Sequence, residues 1–242
     1  MRGHGAQRVL PARVNYSPFS GPTNGPHWNM GATHSEVISA LESGEPRGVR
    51  TALIAHSVDA NTVLDPTGRP VLFEAVHTGK VDIARILVSV GHANVNWALD
   101  SGATPLIEAC KVGAPPMIEF LITNGALVNQ SDKLGFSPMH HAAALGHVDA
   151  VRILLAHDAT VSANNNFRDT PLHLAARNGH VDVVIELDYA VAKLYATNDS
   201  GDTPLDLAIA CSKSEVAEYI NDACKRRPVR HVQWLNECKM IF

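Results

Sequence analysis

Aromatic residues are scarce in this chain: its 242 residues include 3 Trp, 4 Tyr and 6 Phe. An apolar content of 45% therefore comes mostly from small aliphatic side chains, which suit thin packed layers better than one thick core. Charged residues make up 18%, below the globular average of about 25%, which argues against a wholly disordered chain. No run of about 18 apolar residues occurs, so no transmembrane helix is expected. The four cysteines, Cys110, Cys211, Cys224 and Cys238, form no C-x-x-C pair, which disfavours a zinc site or a disulfide frame. Catalytic and nucleotide-binding signatures are missing too. The sequence has no G-x-S-x-G, no P-loop, no H-E-x-x-H and no G-x-G-x-x-G, so neither an enzyme nor a cofactor is expected.

Acidic residues are absent from the first 32 positions, where Arg2, Arg8 and Arg13 give +3. Residues 225–242 set five basic groups against Glu237, giving +4, so the net charge of −4 leaves −11 on residues 33–224. An acidic body with two basic ends repels phosphate, and nucleic acid is not the expected ligand.

What is present is a repeat. Gly102-Ala103-Thr104-Pro105-Leu106, Gly135-Phe136-Ser137-Pro138-Met139, Arg168-Asp169-Thr170-Pro171-Leu172 and Gly201-Asp202-Thr203-Pro204-Leu205 align at successive spacings of 33. A weaker copy starts at Gly68, with His92 as the extra residue. Each unit reads as two antiparallel helices and a turn. Thr170 is a good N-cap, and Pro171 at the first helical position gives up no N–H that the helix needs. Leu172, Ala175 and Ala176 form a small apolar face ending at Gly179. Val148, Val151, Leu154 and Leu155 mark the stripe of a second helix.

The segments Thr170-Pro171-Leu172-His173-Leu174-Ala175-Ala176 and Ser137-Pro138-Met139-His140-His141-Ala142-Ala143, each followed by a Gly-His pair, resemble ankyrin repeats. The resemblance implies an all-α fold, an α-solenoid of helix-turn-helix repeats with short hairpin turns. The expected organisation is a disordered basic arm at 1–32 and a repeat domain at 33–224, followed by a basic tail at 225–242 that could form a short helix. Within the domain, a degenerate N-terminal cap at 33–67 precedes repeats at 68–101, 102–134, 135–167, 168–200 and 201–224. The family pattern gives His140, His173, His147 and His180 structural roles. Ile107 and Asp206 depart from the motif histidine, which should weaken the polar links of their units. Glu186 and Asp188 fall where core leucines belong, and both are expected to reach solvent because a buried unpaired carboxylate costs several kcal/mol.

Such a solenoid offers an extended concave surface, so the expected function is that of a non-catalytic protein-binding adaptor or scaffold. Registered on the family pattern, the outward residues of the central units are Lys133, Leu134, Phe136 and Leu145, then Phe167, Asp169 and Arg177, with Asp100 and Asp202 on the flanking units. Turns prefer Gly, Asn, Asp and Ser, so Leu134, Phe136 and Phe167 on adjacent tips mark candidate anchors. The acids make a negative rim, and the expected partner is another protein presenting an apolar segment with basic flanks. The alternative is a regulatory subunit of a nuclear or transcription complex, directed by Lys225-Arg226-Arg227-Pro228-Val229-Arg230. The same cluster can also draw the tail onto the acidic body and screen the concave face. The compartment expected is the cytoplasm, with that cluster as a candidate nuclear address.

Overall fold

The computed structural model describes residues 32–63, 65 and 68–226, with side chains from 35 onward. The sequence-based expectations for the N-terminal arm and for a helix after residue 227 lie outside the described residues. The described chain forms helices throughout: α1 (Ala32–Ser43), α2 (Pro46–His56), α3 (Val71–His77), α4 (Val81–Ser89), α5 (Pro105–Val112), α6 (Pro115–Thr123), α7 (Pro138–Leu145), α8 (Val148–Ala156), α9 (Pro171–Asn178), α10 (Val181–Tyr189), α11 (Pro204–Ala210) and α12 (Ser214–Arg226). From α3 onward the odd-numbered helices stack on one another in one layer, the even-numbered helices form a second from α2, and α1 packs on α2. This is an all-α solenoid.

The period arises from a local device repeated along the chain. Thr104, Ser137, Thr170 and Thr203 are extended N-caps, each followed by proline at the first helical position. In two units a histidine locks the cap and joins it to the next unit. The Ser137 N–H donates to His140 Nδ1 at 3.1 Å, and His140 Nε2 donates to the Asp169 carbonyl at 3.0 Å. Thr170, His173 and the Asp202 carbonyl repeat the arrangement at 3.1 Å for both bonds. This network needs a neutral imidazole with its proton on Nε2. Burial pushes His140 down to about 4 and lowers His173 as well. Ile107 is buried in the same register and makes no such link; Asp206 caps its own helix through Thr203.

The second glycine of each unit serves close approach as well as conformation. Gly146 caps α7 with φ of 78°, and a Cβ there would lie 2.5 Å from the His180 ring. That ring crosses the glycine to donate from Nε2 to the Ala144 carbonyl at 3.0 Å. His147 does the same over Gly113, reaching the Lys111 carbonyl at 3.1 Å. All four motif histidines therefore hold neighbouring units together.

The main core runs from Val37 to Ala223 as one apolar band. Ala109, Ala142, Ala143, Ala175, Ala176 and Ala208 are buried in the stacked first helices, which is why few aromatics are needed. Phe73 is the exception, fully buried where other units place the motif histidine.

Asp188 corrects the expectation that the two acids of α10 reach solvent. It is buried, and the Tyr219 hydroxyl on α12 donates to its Oδ2 at 3.1 Å. The Arg226 guanidinium stands 5.4 Å from the Tyr219 ring centre. Glu186 is half-buried and pairs with Arg152 of the preceding unit at 2.7 Å. A supplied donor and a supplied cation take the place of solvent.

Candidate functional site

The turns preceding the first helices form a row of tips linked by single backbone hydrogen bonds. Lys133 N–H donates to the Ser101 carbonyl, Asn166 N–H to Leu134, and Asp199 N–H to Phe167, at 2.9, 3.0 and 3.0 Å. Consecutive tips are thus in direct contact. The tips of units three to five are each folded by an Asx residue: Asp132 Oδ1 accepts from Leu134 and Phe136 N–H, Asn165 Oδ1 from Phe167 and Asp169, and Asn198 Oδ1 from Ser200 and Asp202.

On this scaffold the candidate residues separate. Leu134 and Phe167 stand out from adjacent tips, 55% and 51% exposed. Lys133 and Asp100 are exposed, while Leu145, Arg177 and Asp202 are half-buried. Two residues are placed differently from expectation. Phe136 is only 7% exposed: its ring turns down onto its own helix, 5.6 Å from the His141 ring centre and 5.9 Å from His140, and packs with Ala144 and Leu174 in a small apolar cluster apart from the main core. Asp169 is 4% exposed, because its carboxylate accepts from Asn198 Nδ2 at 2.8 Å and pairs with Arg177 at 3.3 Å. Phe136 is therefore a floor rather than a tip, and Asp169 is a structural acid rather than part of the rim.

The outcome is a stepped apolar surface. The Phe136 and Phe167 ring centres lie 6.4 Å apart and are tilted by 59°, a separation within the usual range for aromatic pairs. Burial pushes His141 down, opposed by its 3.1 Å bond to Asp132. Burial would raise Asp132, but the His141 bond and the backbone N–H groups of Phe136 and Leu134 outweigh it and hold this carboxyl below its ordinary value. The floor therefore rests on an ionised Asp132 and a neutral His141. Charge around the surface alternates along the row: Asp100, then Lys133 and Arg168 on the two central tips, then Asp199, all exposed.

Reading outward positions from the family register missed Leu174 and His141, which share one register position 33 residues apart on the first helices. The signal was available. Position 136 and its repeats read Ala103, Phe136, Asp169, Asp202, and position 144 and its repeats read Lys111, Ala144, Arg177, Ala210. The pairing of Asp169 with Arg177, against Phe136 with Ala144, marks where unit three replaces a polar contact by an apolar one. Asn165 registers the change: its Nδ2 is buried with no hydrogen-bond partner among the described residues, whereas the equivalent amide of Asn198 has Asp169.

Other chemistry is sparse among the described residues. No group of three His, Cys, Asp or Glu side chains is placed to hold a metal ion, and no helix is long and apolar enough to cross a membrane. Cys110 is fully buried in apolar surroundings, which pushes its thiol far above the ordinary range.

Comparison with known proteins agrees with this architecture. The chain is 33% identical over 89 residues to mouse (Mus musculus) protein phosphatase 1 regulatory subunit 27, a stretch covering 37% of this chain and 56% of the relative. The human (Homo sapiens) protein of that name gives 34% over 89 residues, with the same shares. The matched stretch spans little more than half the length of these curated relatives. The family described as ankyrin repeats in three copies matches residues 37–132, 113–190 and 161–227. With the 33-residue period, the histidine-locked caps and the two-layer stack, that match shows that the chain belongs to the ankyrin repeat family.

Proposed function

We propose that this protein is a non-catalytic interaction adaptor whose partner docks on the tips of units three and four. One observation carries the reading: Leu134 and Phe167 are large apolar side chains, more than half exposed, on tips in backbone contact, with the Phe167 ring 6.4 Å from Phe136 in a preformed floor of Phe136 and Leu174. Scattered exposed apolar residues are ordinary, but adjacent ones rimmed by charge are the pattern of an interface anchor. A fully buried Phe or Leu is worth about 1.5–3 kcal/mol, so two anchors supply a large part of the roughly 8 kcal/mol of a micromolar complex.

The partner fitting this surface is a protein segment with an apolar centre and basic flanks, the centre covering Leu134 and Phe167 and the flanks meeting Asp100 and Asp199. The name of the mouse and human relatives, protein phosphatase 1 regulatory subunit 27, makes protein phosphatase 1 the first partner to try, in a regulatory rather than enzymatic role for this chain. The test is affinity capture from the native cell with the wild type and a Leu134→Ala/Phe167→Ala variant of equal thermal stability. Loss of the captured partners is expected. Undiminished recovery by the variant would refute docking at these tips, and phosphatase absent from the wild-type capture would remove that partner.

A further inference from the structure

We infer that the C-terminal segment 227–242 is a ligand in cis for the tips of units three to five, competing with the external partner for Leu134 and Phe167. The inference rests on reading these two residues as docking anchors and adds the occupant that covers them when no partner is bound. Three observations on the described residues and the sequence carry it.

The first is where the described chain stops. Helix α12 ends at Arg226, and the Tyr195 hydroxyl donates to the Cys224 carbonyl at 3.3 Å, so the end of α12 lies against the strand of chain that leads into the unit-five tip. From Tyr195 to Asp199 is four residues, at most about 14 Å, and Asp199 is hydrogen-bonded to Phe167. The path from the Cys224 carbonyl through Tyr195 and Asp199 to Phe167 is thus at most about 30 Å, an upper bound on the straight-line gap, and the eight residues from Arg226 to Trp234 span about 27 Å when extended.

The second is the order of charge. Starting from α12, the tips present Asp202 and Asp199, then Arg168 and Phe167, then Leu134 and Lys133, then Asp100. The tail presents Arg227 and Arg230, then Val232, Trp234 and Leu235, then Glu237, then Lys239. Laid along the tips, basic residues meet acids, the apolar group meets Phe167 and Leu134, the tail's single acid meets the central cations, Lys133 in extended register with Arg168 beside it, and Lys239 meets Asp100. Trp234 to Glu237 is about 10 Å extended, matching the 8–10 Å between packed neighbouring helices. Complementary charge of this kind fixes register and suppresses alternatives more than it adds affinity.

The third is effective concentration. A short tether holds the segment at a local concentration in the millimolar range, so even weak complementarity fills the surface in the absence of partner.

The experiment uses the full chain with Cys211→Ser and Cys224→Ser, leaving buried Cys110 and a nitroxide on Cys238. Paramagnetic broadening is read at the amides of Leu134, Phe167 and Asp199, with Ile54 at the far end as reference. Broadening is expected to reduce the three tip signals severalfold relative to the reduced label, to be independent of protein concentration, and to be relieved by Trp234→Ala. Lys133→Glu should weaken it, and adding Glu237→Lys should restore it. Tip signals no more affected than Ile54, or failure of the charge swap to restore broadening, would overturn the inference. Broadening that vanishes on dilution would assign the contact to a second copy and overturn it equally. The docking reading is judged separately: a Leu134→Ala/Phe167→Ala chain that loses its partner while the tail shows no contact leaves that reading standing and removes this one.

Discussion

Replacing Phe136 and Phe167 one at a time by alanine separates a floor from a tip. Phe136 keeps 7% of its surface exposed and Phe167 keeps 51%. Truncating a buried Phe to Ala returns on the order of 120 Å² of apolar burial, which at about 25 cal/mol per Å² is about 3 kcal/mol. The extended-chain reference makes this an upper value, and the cluster is small enough to collapse partly, so part of the cavity cost is relieved. A second offset comes from Asn165: its Nδ2 has no partner in the wild type, and opening the cluster to water lets the amide be solvated, recovering about 1 kcal/mol. The net expectation for Phe136→Ala is a loss of about 2–3 kcal/mol. Phe167→Ala gives up roughly half as much buried area and leaves no cavity, for a loss of about 1 kcal/mol or less. For a chain of this size 1 kcal/mol shifts Tm by about 2–4 °C, so the two variants differ by several degrees in calorimetry and visibly in urea midpoint. Partner capture should invert the order, Phe167→Ala being the more damaging relative to its stability cost. Equal destabilisation by the two, or a Phe136→Ala midpoint unchanged from wild type, would refute the assignment of floor and tip.

Three further outcomes are expected. The double change Phe136→Asp/Ala144→Arg transplants the Asp169–Arg177 pair into unit three and offers Asn165 Nδ2 an acceptor; a double-mutant cycle in urea should show a favourable coupling of about 1 kcal/mol, and additive single effects would contradict the register argument. Val191 is a β-branched residue at φ of 63° and 63% exposed, in the register position held by Gly125 and Asp158, so Val191→Gly should raise stability by about 1 kcal/mol in thermal unfolding. His140 and His173 are lowered from 6.5, His140 to about 4, so their neutral forms stabilise the fold fully above about pH 6.5; urea midpoints should fall as pH drops from about 6.5 to 4, and a His140→Ile/His173→Ile chain, copying the residue at 107, should show a flatter dependence over that window.

Much of the fold is legible in the sequence because each unit repeats the same local chemistry. Thr-Pro at the start of the first helix, histidine at its third position and glycine after its end each state a cap, a link and a close approach, and four copies in register fix the stacking. The site is less legible. The family register tells which positions leave the hairpin but not which way a side chain leans once there. Phe136 and Phe167 stand two residues apart in their respective units, Phe136 after its tip glycine and Phe167 before Arg168. The first faces the helix, where His140, His141 and Ala144 receive it; the second faces away and keeps half of its surface exposed. Asp169 was hidden for a related reason. An acid on a turn reads as solvated until the Arg177 and Asn198 that bury it are brought alongside, and Asn198 folds the tip that opens the next unit, 29 residues on. Asp188 depends likewise on Tyr219, 31 residues away.

Those cases share a cause that bears on function. In a solenoid each unit contacts only its neighbours, so a departure from the repeat is answered by the adjoining unit or is left unanswered. Asp188 is answered by Tyr219, Glu186 by Arg152, and Asp169 by Arg177 and Asn198. Phe136 is answered by Leu174 on one side, yet it leaves the Asn165 amide unmet and a hydrophobic step beside Phe167. A buried amide without an acceptor costs about 1–3 kcal/mol, and an aspartate at 136 with an arginine at 144 would remove that cost, as unit four demonstrates. Unit three carries the costlier choice where Leu134 and Phe167 stand exposed on tips in backbone contact. Stability of the stack does not require it; the docking of an apolar segment proposed above does.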